Sequence, residues 1–111
     1  RTGNDILARS RAQAIDRGLT PIIYTHPIGL HGHAAGTTIG MWDKQDGVPG
    51  SGDYAMQPNT AYSIELTAEV RLPEWGDDPL KMKLEQDGFF DGKTFRYIQP
   101  RQTQYHLVSS D

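Results

Sequence analysis

Three histidines, His26, His31 and His33, lie within eight residues of one another, with Gly29 and Gly32 between them. A neutral imidazole nitrogen binds divalent metals, and glycine allows a backbone or a substrate to come close. The segment is therefore a candidate ligand cluster for a divalent metal. Histidines in solvent-exposed loops are also common, so the cluster taken alone leaves that plainer interpretation open.

The composition restricts the chemistry of such a site. The 111 residues include no cysteine, so a metal would be held by nitrogen and oxygen ligands. The net charge of -3 provides neither the basic surface that nucleic acid requires nor a cationic face for a membrane. No apolar run approaches the roughly 18 residues of a membrane-spanning helix. The composition predicts one soluble domain with no nucleic-acid or membrane partner, and leaves open whether it is cytoplasmic or extracytoplasmic.

One helix and one short strand precede the histidines. Thr2 or Asn4 is a candidate N-cap, and Gly18 is the predicted helix end. The apolar face of this helix is predicted from residues at helical spacing, namely Ala8, Ala12, Ile15 and Leu19. Residues 22–25 are β-branched or aromatic, which predicts a short buried strand ending at His26.

The rest of the sequence predicts a glycine-rich loop followed by an antiparallel sheet. Residues 29–52 hold seven of the twelve glycines, and long structured loops of this kind usually have a function. Residues 60–72 and 80–85 alternate apolar and polar side chains, and an Asp-Gly turn leads into a strand at 93–98. The predicted fold class is α+β, with one N-terminal helix followed by the sheet. Glu65 and Glu85 both lie on polar strand faces, so adjacent pairing would direct them to one point.

The order and spacing of these features resemble the pita-bread metallopeptidase superfamily. This group includes methionine aminopeptidase, aminopeptidase P and prolidase, with creatinase as a non-peptidase relative. The shared marks are His26-x-x-Gly29-x-x-x-His33, Val48-Pro49-Gly50, Pro58-Asn59-Thr60-Ala61-Tyr62-Ser63-Ile64-Glu65, and Glu85 before a hairpin. The resemblance as a whole extends over nearly all of the chain, from the first helix to about Ile98. The resemblance implies that residues 1–111 form the C-terminal half of a catalytic domain with a curved antiparallel sheet.

The resemblance also implies a role for each residue. His26, Glu65 and Glu85 would be metal ligands, with Glu65 also acting as the proton shuttle and Glu85 bridging two metals. His33 falls on the second, substrate-facing histidine, and His31 is a further candidate for substrate binding. The implied cofactors are two divalent ions, drawn from Mn, Co, Zn or Fe.

Plainer interpretations of the two glutamates stay open. Glu65 could be an ordinary solvent-facing strand residue, and Glu85 could form an ion pair with Lys83 or Arg96.

The implied activity is dinuclear-metal hydrolysis, with an aminopeptidase favoured and peptides as substrate. Ile22 stands where proline-directed members often carry a further histidine, which weakens an Xaa-Pro assignment. The family site has two more aspartate ligands upstream, and this chain begins without a methionine. We therefore expect a segment of a longer polypeptide that needs its upstream half and is inactive alone. A non-catalytic binding domain of the same fold and a creatinase-like hydrolase of a non-peptide C–N bond are the alternatives, and association into oligomers is left open.

Overall fold

In the computed structural model, which describes residues 1–110, the chain begins with an α-helix, α1 (Gly3–Asp16). A capping box closes its N-terminus: the Thr2 hydroxyl accepts from the Asp5 N–H at 3.1 Å, and the Asp5 carboxylate accepts from the Thr2 N–H at 3.2 Å. After the helix, Gly18 adopts a φ of 77°, which glycine reaches without strain. Of the two N-cap candidates, Thr2 is the one that caps the helix, and the predicted helix end near Gly18 is confirmed.

The predicted apolar face of α1 is wrong. The helix buries Gly3 and Leu7, whereas Ala8 and Ala12 are exposed and Ile15 is 56% exposed. Leu7 offers more apolar surface than either alanine, so turning it inward gains more burial. Gly3 makes this rotation sterically feasible, because a side chain there would collide with the backbone of Thr38.

Five antiparallel strands form one sheet: β1 (Thr20–Ile23), β2 (His26–Pro27), β3 (Thr60–Val70), β4 (Leu80–Phe90) and β5 (Phe95–Tyr97). Their order across the sheet is β1-β3-β4-β5, with β2 also paired to β3. A 3-10 helix (Pro73–Trp75) lies between β3 and β4. The α+β class, with one helix and an antiparallel sheet, is confirmed.

The strand predicted at residues 22–25 is divided in two. It runs as β1 to Ile23, is interrupted, and resumes as β2 at His26. At the interruption Thr25 forms a bridge with Ile39 of the glycine-rich loop. That pairing partner is distant in sequence, so periodicity could not show it. His26 nevertheless follows this segment directly, as expected.

The core lies between α1 and one face of the sheet. Leu7, Ile23, Ile39 and Tyr62 form its buried cluster. Along β3 the even-numbered residues face this cluster, which leaves the odd-numbered side chains on the opposite face. The three predicted ligands on the strands, His26, Glu65 and Glu85, therefore lie on the face away from α1.

Two side-chain amides fasten the glycine-rich loop to the rest of the fold. Gln45 accepts from the Ile23 N–H at 3.0 Å and donates to the Ile23 carbonyl at 2.8 Å. Asn4 accepts from the Val48 N–H at 2.8 Å and donates to the Val48 carbonyl at 3.2 Å. These contacts satisfy backbone groups that a strand partner would otherwise satisfy. Within residues 1–110, no helix is long and apolar enough to cross a membrane.

Candidate metal centre

His26 and Glu65 meet on the polar face of the sheet. His26 lies in β2 directly across from Ser63, and Glu65 follows two residues later on the same face of β3. The Nε2 atom of His26 is 3.5 Å from Oε2 of Glu65, and the two side chains are only 18% and 25% exposed. The pairing of β2 with β3 thus brings together two of the three predicted ligands.

The other ring nitrogen of His26 determines where its proton lies. Nδ1 is 2.9 Å from the carbonyl oxygen of Pro27. A carbonyl oxygen can only accept, so Nδ1 carries a proton and donates it. Nε2 is then the ring nitrogen that faces the Glu65 carboxylate, and it is the one that a metal ion could share with Glu65. A backbone carbonyl holding the far nitrogen is the usual orientation device of a metal-binding histidine.

Glu85 lies directly across from Glu65 in the pairing of β3 with β4. Two residues that are directly opposite in an antiparallel pair share a face, with their Cβ atoms about 4.5–5.5 Å apart. The Glu85 carboxylate accepts a hydrogen bond from the Ser63 hydroxyl, with 3.1 Å between Oγ and Oε1. The convergence of the two glutamates that strand alternation predicted is present at the level of the backbone.

Lys83 and Arg96, the alternative ion-pair partners of Glu85, do not form an ion pair with it within residues 1–110. Among residues 1–110, Glu65 lies beside His26, and the ion pair formed by a lysine or arginine is Lys81 with Glu69. Arg96 instead lies over the ring of Phe89, 5.2 Å from its centroid. Two glutamates therefore face each other without a lysine or arginine within ion-pairing distance of either carboxylate in that part of the chain. Like charges directly opposite are unfavourable in a sheet, and a bound cation would offset that repulsion.

The other two histidines of the cluster, His33 and His31, occupy different positions. The ring of His33 stacks on the ring of His26, with centroids 3.9 Å apart and planes 14° from parallel. His33 is exposed, so one of its faces is open to solvent beside the proposed ligand. His31 is exposed at the turn of the loop, and its side chain makes no hydrogen bond within residues 1–110. The structure brings His33 to the site but does not bring His31 there.

The side chains of His26, Glu65 and Glu85 do not surround a common point at which a metal could bind. Within the described chain, residues 1–110, no group of three His, Asp or Glu side chains is close enough to hold a metal ion. His26 and Glu65 converge, while the Glu85 carboxylate is held on Ser63. The donor types, one imidazole and two carboxylates, suit divalent transition metals, and all three project from one sheet face. The donor types and the shared sheet face therefore suit a divalent metal, while within residues 1–110 the three side chains do not meet at a single point.

Ser63 is the residue of this site that the sequence did not single out. It is 5% exposed and lies between His26 on one neighbouring strand and Asp87 on the other. The signal was present in the alternation of β3, because Ser63 shares the face of Glu65 two residues further on. Which glutamate it would contact depends on the β3–β4 register, which alternation alone does not define.

No protein-family model matches this sequence, and the searches of curated proteins and of solved structures returned no significant match.

Proposed function

We propose that this chain is the second half of a pita-bread-type, metal-dependent hydrolase, with an aminopeptidase as the favoured activity. His26, Glu65 and Glu85 are its metal ligands. The observation that supports this most directly is the approach of His26 Nε2 to the Glu65 carboxylate at 3.5 Å, with Glu85 directly across the sheet from Glu65. The order of the sequence motifs supports the same assignment, which also requires two further aspartate ligands upstream of this chain.

The chain's own residues can divide the work of hydrolysis among them. Bound divalent metals would lower the pKa of a coordinated water and stabilise developing negative charge. Glu65 would accept the proton from the attacking water and transfer it to the leaving amine. His33, exposed beside His26, would donate a hydrogen bond to the substrate carbonyl oxygen as charge builds on it. An exposed imidazole stacked on a ligand is well placed for this, because it is fixed and still accessible.

Metal binding to the full-length protein tests the ligand assignment. We expect His26→Ala, Glu65→Gln and Glu85→Gln each to lower the affinity for Mn²⁺ or Co²⁺, measured by calorimetric titration. Glu69→Gln is the matched control, since Glu69 lies on the same strand face and is already paired with Lys81 at 2.8 Å. Wild-type affinity in all three ligand variants would refute the proposed metal centre.

Turnover separates the candidate activities. The full-length, metal-loaded protein should release the N-terminal residue from short peptides, and Glu65→Gln should lower kcat by about 10²-fold or more, the usual contribution of a positioned general base. A protein that binds metal and cleaves only a non-peptide C–N bond would instead be creatinase-like. A protein that binds peptides without cleaving either class would be a binding domain of the same fold. Full aminopeptidase activity in Glu65→Gln would exclude this residue as the proton shuttle.

A further inference from the structure

The Ser63 hydroxyl is the one contact that orients the Glu85 carboxylate within residues 1–110. Its Oγ donates to Oε1 of Glu85 at 3.1 Å, and Oε2 has no hydrogen-bond partner in that part of the chain. The contact is diagonal across the sheet, because Glu85 is directly opposite Glu65 and Ser63 lies two residues before Glu65. The bond therefore draws Glu85 along the sheet face towards the strand that carries His26.

The donor of this hydrogen bond is buried, and its acceptor is exposed. Ser63 is 5% exposed, whereas Glu85 is exposed to solvent. A glutamate on an exposed strand surface samples many rotamers, and a fixed donor beneath it reduces that freedom before any ligand binds. Since the bond occupies Oε1 alone, it leaves Oε2 available as a metal donor.

We propose that Ser63 is a positioning residue of the metal centre, which holds Glu85 for coordination through a hydrogen bond to one carboxylate oxygen. This inference rests on the proposed function, because it takes Glu85 to be a ligand. Ser63 itself touches neither the metal nor the substrate in this account. Its role is to reduce the reorganisation that Glu85 undergoes when a metal binds.

The test compares Ser63→Ala with Ser63→Thr in the full-length protein, using Co²⁺ alone as the probe. Removal of an outer hydrogen-bond partner typically lowers metal affinity by about 10- to 100-fold, and we expect that loss in Ser63→Ala. Ser63→Thr retains the hydroxyl and should restore most of the affinity. The visible absorption of bound Co²⁺ reports the ligand arrangement directly, and it should change in Ser63→Ala and return in Ser63→Thr.

Thr67→Val provides the matched control. Thr67 is 4% exposed on the same face of β3, and within residues 1–110 its hydroxyl makes no hydrogen bond to His26, Glu65 or Glu85. This variant also loses a buried hydroxyl, so it measures any general effect on the strand, and it should bind Co²⁺ like the wild type. Equal losses in Thr67→Val and Ser63→Ala would assign the effect to strand packing and overturn the positioning role.

Three further outcomes are informative. Ser63→Ala could bind Co²⁺ as tightly as the wild type or more tightly, while Glu85→Gln binds it more weakly. That result would overturn the positioning role and leave the proposed metal centre intact. Ser63→Thr that binds as poorly as Ser63→Ala would also overturn it. If the Glu65→Gln and Glu85→Gln variants both bind Co²⁺ as tightly as the wild type, the proposed function itself is refuted.

Discussion

Tyr62 carries the buried side-chain polar atom that has no hydrogen-bond partner within residues 1–110, its hydroxyl oxygen. The residue is 1% exposed and packs in the core with Leu7, Ile23 and Ile39. A buried hydroxyl without a partner costs about 1–3 kcal/mol of stability. Tyr62→Phe removes that hydroxyl and keeps the ring, so we expect it to raise the free energy of unfolding by about 1 kcal/mol in urea denaturation. Tyr54→Phe, which changes a tyrosine that is 67% exposed, is the control and should leave stability unaltered.

The same residue predicts how stability responds to alkaline pH. Burial raises the pKa of Tyr62 above its ordinary value of 10.0, because the phenolate would lose its hydration. The folded state therefore keeps this proton at pH values where the unfolded chain has released it. The associated stability is complete below pH 10.0 and is lost as the pH rises through the folded pKa. Tyr62→Phe should show a shallower alkaline loss, and an identical loss in both proteins would contradict this account.

At the scale of elements, the glycine-rich loop depends on close backbone contact at Gly40. This residue has a φ of 74°, and a Cβ there would collide with the Ile23 carbonyl at the end of β1. We expect Gly40→Ala to destabilise the fold by more than the roughly 1–2 kcal/mol of a left-handed conformation alone. The measurement is the midpoint of urea unfolding, monitored by circular dichroism.

Gly50→Ala separates the two contributions to the expected loss of stability, the steric collision of the new Cβ and the cost of a left-handed backbone. Gly50 has a similar φ of 80°, but nothing lies within 4 Å of a Cβ placed on it. Its alanine variant should therefore show the conformational cost without the collision. Equal destabilisation by the two variants would mean that the loop can move away from β1 at Gly40 without further cost.

Local pattern predicts the elements of this fold better than it predicts their contacts. Alternation of apolar and polar residues correctly located β3 and the start of β4, and it assigned Glu65 and Glu85 to one face. Helical spacing selected Ile15 for the core, whereas the structure buries Leu7, because the fit of Gly3 against a distant loop backbone decides the rotation of α1. Such a contact between remote segments leaves no periodic trace in the sequence.

For the candidate site too, the sequence predicted which residues take part better than it predicted their contacts. Alternation predicted that Glu65 and Glu85 share a face, whereas His26 joins them through the pairing of β2 with β3, which the sequence did not show. The hydrogen bond from Ser63 to Glu85 depends on strand register, and the stacking of His33 on His26 depends on the path of the loop. Both are tertiary facts, so pattern could indicate the participants but not their contacts.

At the scale of the whole molecule, the buried core and the candidate metal ligands lie on opposite faces of one sheet. The face that packs on α1 holds the buried cluster around Leu7 and Tyr62, and the other face holds His26, Glu65 and Glu85. The strand pairing that aligns the candidate ligands is backbone hydrogen bonding between β2, β3 and β4. The ligand face should therefore keep its geometry as long as the sheet stays folded.

Leu7→Ala tests this separation of the two faces. Leu7 is 1% exposed, and replacing a buried leucine with alanine costs about 2–5 kcal/mol, because the lost contacts leave a cavity. Ile15→Ala, on the exposed side of the same helix, should change the urea midpoint far less, since Ile15 is 56% exposed. At a temperature where circular dichroism shows Leu7→Ala to be folded, its affinity for Mn²⁺ should match that of the wild type, because the sheet register is intact. A folded Leu7→Ala variant with weakened metal binding would show that core packing, and not strand pairing alone, determines the positions of the ligands.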